Sequence, residues 1–351
     1  MNPKLEWSGV AGAGGIEPQW AALREAEDDK HARALTLNLI CRARDAADAA
    51  QMAQCLWTLG PRHPARVFLV APGEATAGGV MRLRAAAQPG GSELIEMEGA
   101  PGRAASVVAP LLASDLPVVM LWRGGAAHAN PEFQDWAAMS DRVLVDAHSM
   151  RLRPSELAAL AQEVPARSGL SDLTWARLTP WRQLLCQGLE ADPNGFRHLR
   201  RVDITAGHGR LAGESLAATL FAGWLAHLLQ WSPQERLGEG ALRLRDAAGG
   251  EVVLRFQPCP AEEKHGLLRR LVVVGGENEI SVVIQHRGER LAMSLDRGGR
   301  TLGAWTGPPT GRGREEAETL GEELSIYGGD ALYEQALERG LELLAHLEAA
   351  A

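Results

Sequence analysis

The spacing of the β-like runs in the last third of the chain constrains its fold more than any other feature. Runs rich in Val, Leu and Ile fall near 241–246, 251–257, 268–274, 279–286 and 290–296. They are parted by turn signals such as Ala248-Gly249-Gly250 and Gly275-Gly276-Glu277-Asn278. Hops this short leave no room for the crossover that a parallel pair requires, so the runs are expected to pair as antiparallel hairpins. Before about residue 165 the grammar is different. Strand-like runs at 34–41, 66–70, 93–97, 116–121 and 142–146 alternate with helical stretches at 45–59 and 104–113 and with a helix starting at Asn130-Pro131-Glu132. Alternation with helices of ten or so residues implies βαβ units and a mostly parallel sheet. The expected architecture is an α/β N-terminal domain over 1–165, followed by an α+β domain with an antiparallel sheet over 166–351. Within the second, two helices surround Thr179-Pro180, a short strand covers 201–205, a long apolar helix covers 215–231, and two closing helices are split by Gly328-Gly329-Asp330.

Composition narrows the function classes. The 351 residues carry 36 Lys+Arg against 44 Asp+Glu, a net charge of −8, which disfavours nonspecific binding to nucleic acid or anionic lipid. Hydrophobic residues at 46% and charged residues at 23% fit a folded chain rather than a disordered one. Cys41, Cys55, Cys186 and Cys259 lie far apart in sequence, with no C-x-x-C and no Cys/His cluster. Neither a disulfide framework nor a metal site is expected, and a cytoplasmic setting follows. The first residues lack the apolar stretch of a signal peptide. No charge falls between Glu214 and Glu235, but Thr219, Gly223, His227 and Gln230 within that span favour a buried helix over a membrane span.

Signatures of catalysis are sparse. The chain has no G-x-S-x-G elbow, no Walker A lysine and no H-E-x-x-H, and its ten histidines are scattered singly. No catalytic residue and no cofactor is therefore assigned. Gly12-x-Gly14-Gly15 follows no strand and fails the context of a dinucleotide fingerprint. Gly207, Gly209, Arg210 and Gly213 are better placed, between a strand and a helix N-terminus, where free N–H groups and a guanidinium would suit phosphate. Their spacing is not G-x-G-x-x-G, so a plain turn is the competing reading. Arg62-His63-Pro64-x-Arg66 is read as solvated charge ahead of a strand.

Tryptophans beside arginines are more informative. Trp122 and Arg123 close a buried strand, at the end where open α/β sheets place their sites. The run Asp172-Leu-Thr-Trp175-Ala-Arg177-Leu-Thr-Pro-Trp181-Arg182 packs two Trp and two Arg into a short stretch broken by Thr179-Pro180. These residue types dominate interface hot spots, but they serve equally as core rings with internal ion pairs.

Those segments, with Ser140-Asp141-Arg142-Val-Leu-Val-Asp146, Phe221-Ala-Gly-Trp-Leu225 and Glu323-Leu-Ser-Ile-Tyr-Gly-Gly-Asp330, resemble the glucose-6-phosphate dehydrogenase assembly proteins, the OpcA family. Leu121 and Ala147 depart from the family pattern, which typically shows Trp and Ser there. The resemblance implies a non-enzymatic partner that binds glucose-6-phosphate dehydrogenase, promotes its active oligomer and controls NADPH supply. It points to Trp122, Arg123, Asp172, Trp175, Arg177, Trp181 and Arg182 as the contact surface or its support. In some lineages of the family this control is thiol-dependent, and the wide cysteine spacing here argues against such a switch. The alternatives are a sugar-phosphate or nucleotide-binding enzyme using the Gly207–Gly213 turn, and a scaffold without kinetic effect.

Overall fold

The computed structural model describes residues 6–11, 18, 35–60, 62–72, 81–87, 92–99, 104–125, 130–206, 215–259, 267–276, 279–288, 290–309, 314–326 and 328–349. Two compact units emerge, each assembled from several lengths of chain. The first is Met1–Met150 with Ala159–Leu173 and Glu316–Gly329; the second is Arg151–Ala158 with Thr174–Glu315 and Asp330–Ala351.

Strands of the first unit are β1 (Glu6–Ala11), β2 (Leu37–Arg42), β3 (Ala65–Pro72), β4 (Met81–Ala87), β5 (Glu93–Gly99), β6 (Val118–Trp122), β7 (Arg142–Val145) and β8 (Gly169–Asp172). They form one sheet in the order β1-β4-β5-β3-β2-β6-β7-β8. From β5 to β8 all neighbours are parallel, as expected, while β4 and β1 extend that edge antiparallel. Counted by first appearance, the parallel strands run 3-2-1-4-5-6, the doubly wound order of dinucleotide-binding folds. Helices α1 (Ala46–Leu59), α2 (Ala104–Val108) and α3 (Pro131–Met139) connect them, and α4 (Pro154–Glu163) follows β7 in sequence. Local chemistry sets these helix starts. The Asp45 carboxylate caps α1 by accepting from the Asp48 N–H, and Asn130 caps α3 just ahead of Pro131. All six residues of β2 are buried, which matches its unbroken apolar run and its place in the middle of the sheet. Leu39 and Cys41 of β2 meet Met52, Leu56 and Leu59 of α1 in one core. Ala317, Leu320 and Leu324 join that same core from far along the chain.

The second unit carries α5 (Leu173–Arg177), α6 (Thr179–Ala191), β9 (Leu199–Ala206), α7 (Leu216–Leu228) and β10 (Ser232–Gly238). Five further strands are β11 (Ala241–Arg245), β12 (Glu251–Pro258), β13 (Leu268–Gly275), β14 (Ile280–Arg287) and β15 (Arg290–Arg297), then β16 (Arg300–Pro309). Its sheet has the order β10-β11-β12-β9-β13-β14-β15-β16 and is antiparallel except where β9 runs parallel to β12. One hairpin expected from the sequence is absent. β12 and β13 do not pair; β9 lies between them and bonds to both, because the connection from Pro258 to Leu268 is long enough to step over one strand. The helix α8 (Arg314–Leu324) supplies most of its length to the first unit, and α9 (Ala331–Glu348) returns to the second.

Helix α6 packs on β14–β16, α7 on β9, and α9 on β10 and β11, so three helices share one face of the second sheet. The uncharged stretch read as a buried helix is α7, whose residues from Leu216 to Ala226 are all buried. Its crossing with α9 is made at backbone distance. A Cβ on Gly340 would lie 2.6 Å from the Thr219 carbonyl oxygen, and one on Gly223 would strike the Ala336 carbonyl. Among the described residues, no helix is long and apolar enough to cross a membrane.

Candidate functional site

In a doubly wound sheet, ligands enter where the strand order reverses, outside the carboxyl ends of the central strands. Here that point lies between β2 and β6, and Arg42, Trp122 and Arg123 stand at it. The Arg42 guanidinium donates to both oxygens of Glu132, at 2.6 and 3.1 Å, and lies 5.8 Å from the Trp122 ring centre. Trp122 is fully buried, meets Phe133 edge to face at 5.3 Å and donates its indole N–H to the Gly125 carbonyl at 3.2 Å.

Arg123 is only 7% exposed and is surrounded by carboxylates. Its Nη2 is 2.8 Å from Asp48 Oδ1, its Nε is 3.9 Å from Asp146 Oδ2, and its Nη1 donates to Glu316 of α8. Burying a guanidinium is tolerable because these partners replace its water. The second oxygen of Asp48 accepts the Arg44 N–H at 2.9 Å, and Asp45 Oδ1 accepts the Asp48 N–H at 2.8 Å.

This arrangement does not fit a dinucleotide. In such folds the first βα turn is glycine-rich, and the N–H groups at the helix start hold the pyrophosphate. Here that turn reads Arg42-Ala43-Arg44-Asp45, without glycine. Two carboxylates of the chain already occupy the anion position and would repel a second one. Arg44 holds the Asp45 carboxyl below the usual carboxylate range, together with the backbone N–H of Asp48, which has the larger effect.

Beneath this turn, Cys41 is fully buried. Burial pushes its thiol far above the usual range, and Cys55 and Asp48 push it the same way, so it is held as an unreactive thiol. Cys41, Cys55 and Cys259 are buried, and Cys186 is exposed.

In the second unit, the tryptophan–arginine run is a folded knot rather than an exposed strip. Trp175 and Trp181 are each 2% exposed. The Arg182 guanidinium stacks over the Trp175 ring at 3.5 Å and donates to Thr179 Oγ1 at 2.8 Å and to the Trp175 carbonyl at 3.3 Å. Trp175 donates its indole N–H to Asp330 Oδ2 at 2.8 Å and packs its ring against Tyr333. The other Asp330 oxygen caps α9 through the Leu332 and Tyr333 N–H groups. Trp181 meets the His286 ring of β14 edge to face. Arg177 is half-buried at the end of α5.

The structure therefore joins Trp175 with Arg182, whereas the Trp122 ring meets Arg42 and Arg123 turns to Asp48, Asp146 and Glu316. Asp172 is fully buried in the first unit, where it accepts the Ala147 N–H at 3.1 Å. Gly207, Gly209, Arg210 and Gly213 lie outside the described residues, as does the Gly12–Gly15 cluster. Arg66, assigned to solvated charge from the sequence, instead pairs with Glu93 at 2.6 Å. Sequence reasoning did not single out Arg42, Asp48, Glu132 or Glu316, which complete the switch-point network. Besides Trp122-Arg123 at the strand end, the helix-start pattern at Asp45 and Asn130 pointed toward this region.

Comparisons with known proteins bear on both halves. Residues 58–162 match the glucose-6-phosphate dehydrogenase subunit N-terminal domain, and residues 168–337 match the C-terminal domain of the same subunit. Two cyanobacterial proteins provisionally named OxPP cycle protein OpcA are similar over 132 residues, 37% of this chain. The Nostoc punctiforme protein is 32% identical and the Synechocystis protein 27% identical. The aligned stretch spans 28% and 27% of those relatives' own length. Among solved structures, apo levoglucosan dehydrogenase aligns at a TM-score of 0.53 and 14% identity, covering 90% of this chain and 97% of its own. The KijD10 3-ketoreductase of Actinomadura kijaniata aligns at 0.51 and 11% identity, covering 89% and 96%. At these identities the likeness is one of fold alone.

Proposed function

Since the chain belongs to the OpcA family, carrying in order both domains of the glucose-6-phosphate dehydrogenase subunit, we propose that it is a non-catalytic partner which binds glucose-6-phosphate dehydrogenase and raises its activity. The observation that carries this reading is the pair of domain matches. The switch-point geometry supports its non-catalytic part, because Asp45, Asp48 and Arg123 fill the place where enzymes of this fold hold a nucleotide. Through its partner, the chain would influence NADPH formation in the oxidative branch of sugar-phosphate metabolism.

A partner that binds without reacting changes activity only by preferring one state of the enzyme. The size of the effect is limited by that preference, and the coupling is reciprocal. If the complex tightens glucose-6-phosphate on the enzyme, glucose-6-phosphate tightens the complex by the same factor. The buried Trp and Arg residues act in this scheme as supports that fix the elements carrying the docking surface.

The test is to mix the chain with the glucose-6-phosphate dehydrogenase of the same genome. NADPH formation is followed at subsaturating glucose-6-phosphate beside a sizing run. Co-elution with a faster rate is expected. Co-elution at an unchanged rate would leave a scaffold, and no complex with no rate change would sink the proposal.

A further inference from the structure

Among the described residues, the second sheet has helices on one face only, and its other face reads like a docking surface. Across the strands, the central row of that face is Arg255, Asp203, Val272, Val283, Ser294 and Ala304. Val274, Val283 and Ala292 are part-exposed on it, and so are Ser281 and Ser294. Residues in the alternating positions, such as Ile204, Val273, Ile284 and Met293, are buried under the helices. The uncovered face thus carries small side chains at its centre and long ones at its rim. Between β14 and β16 it carries a shallow depression of about 210 Å³, lined by Val283, Gln285, Ala292, Ser294 and Thr306, with Arg287 and Arg290 at one end.

Charge on this face is biased toward arginine, although Asp296 also stands on it and accepts from Ser294 Oγ at 2.8 Å. Asp203 pairs with Arg201 at 3.2 Å, while Glu235 and Glu251 both face Arg243, at 2.7 and 3.8 Å. Arg255, Arg270, Arg287 and Arg290 are exposed and form no ion pair among the described residues. A basic face on a chain of net charge −8 is the opposite of its average surface.

We propose that this face docks a folded protein which presents carboxylates around a small-residue surface, with an acidic side chain entering the depression beside Arg287 and Arg290. Resting on the function proposed above, the partner is glucose-6-phosphate dehydrogenase. Size agrees: eight strands about 4.8 Å apart and roughly seven residues long span about 800–900 Å², near the 800 Å² per partner of a standard interface. A second copy of this chain would set like-charged arginines against each other, which costs affinity. Nucleic acid is disfavoured by the net charge of −8 of the chain.

The test uses the full chain with Arg255→Glu and Arg270→Glu combined, and separately Ser294→Arg, each checked for an unchanged melting temperature. Affinity for the dehydrogenase should fall at least about tenfold in both variants, a change of about 1.4 kcal/mol. Wild-type affinity should also weaken as salt rises from about 50 to about 500 mM. If wild type binds and both folded variants bind equally well, the face is wrong while the proposed function stands. If wild type does not bind the enzyme, the function proposal fails and takes this one with it. A wild-type homodimer broken by Ser294→Arg, or capture by phosphatidylserine vesicles that the charge reversal abolishes, would reassign the face and overturn the proposal.

Discussion

Asp330 offers a sharp test of how the second unit is held together, because its two oxygens serve different elements. Oδ1 accepts from the N–H groups of Leu332 and Tyr333, each at 3.0 Å, and so caps α9. Oδ2 accepts the Trp175 indole N–H at 2.8 Å and ties α5 to the same point. Asp330→Asn keeps a good capping oxygen but turns an amide N–H toward the indole N–H, so only the second bond is lost. A hydrogen bond to a charged acceptor contributes about 1.5–3 kcal/mol. Asp330→Ala also removes the cap, a further loss of about 1 kcal/mol. Domains of about 150–250 residues lose about 2–4 °C per kcal/mol, so the Asn variant should melt about 3–12 °C lower and the Ala variant lower still. Trp175→Phe removes the donor and keeps the ring, and its combination with Asp330→Asn should cost much less than the sum of the two. The assay is guanidinium and thermal unfolding of all four proteins, followed by tryptophan fluorescence and circular dichroism. Additive losses for Trp175→Phe and Asp330→Asn, or an Asn variant as stable as wild type, would refute the shared role of Asp330.

Three further expectations follow from the first unit and the thiols. Arg123→Met should destabilise the chain by about 3–5 kcal/mol, since it strands Asp48 and Asp146 as buried charges, and a melting curve within 2 °C or so of wild type would refute the network. An alkylating reagent at neutral pH should label Cys186 first and leave Cys41, Cys55 and Cys259 until the chain unfolds; mass spectrometry of early time points checks this. The Asp45 carboxyl is held low in the folded chain, so the stability it contributes is present above its unfolded pKa of about 3.9 and is lost as pH falls through the lower folded value. Asp45→Asn should therefore flatten the acid limb of the unfolding midpoint below about pH 4, and an unchanged limb would show that the carboxylate does not act there.

The sequence was legible where burial is two-sided or a cap is explicit. Leu37–Arg42 and Arg142–Val145 read as strands because both faces of a central parallel strand are apolar. Asp45 and Asn130-Pro131 marked helix starts that the structure keeps. Missed strands lack these signals. β4 (Met-Arg-Leu-Arg-Ala-Ala-Ala) alternates arginine and then runs into alanines, a helix-favouring pattern that sheet pairing overrides. β8 is four residues long, and β10 is a mostly exposed strand at the sheet edge. The insertion of β9 between β12 and β13 is a non-local choice that no short-range pattern encodes. At the switch point, Trp122-Arg123 was visible as a strand end, yet one partner of Arg123 lies 193 residues away. Only the tertiary fold brings that pair together.

That distance bears on how the chain is made. The core beneath β2 and α1 includes Ala317, Leu320 and Leu324, and Arg142 holds Glu323 at 2.6 Å. A growing polypeptide therefore completes most of its first sheet, then must emit the whole second sheet before the helix that seals the first arrives. At about 5–20 residues per second this interval lasts on the order of ten seconds. Throughout it the apolar side chains of Leu59 and Leu69 lack the cover that Ala317, Leu320 and Leu324 later supply. Translation speed across the codons for the second sheet would then set how long the nascent chain stays vulnerable to aggregation, however stable the finished protein is.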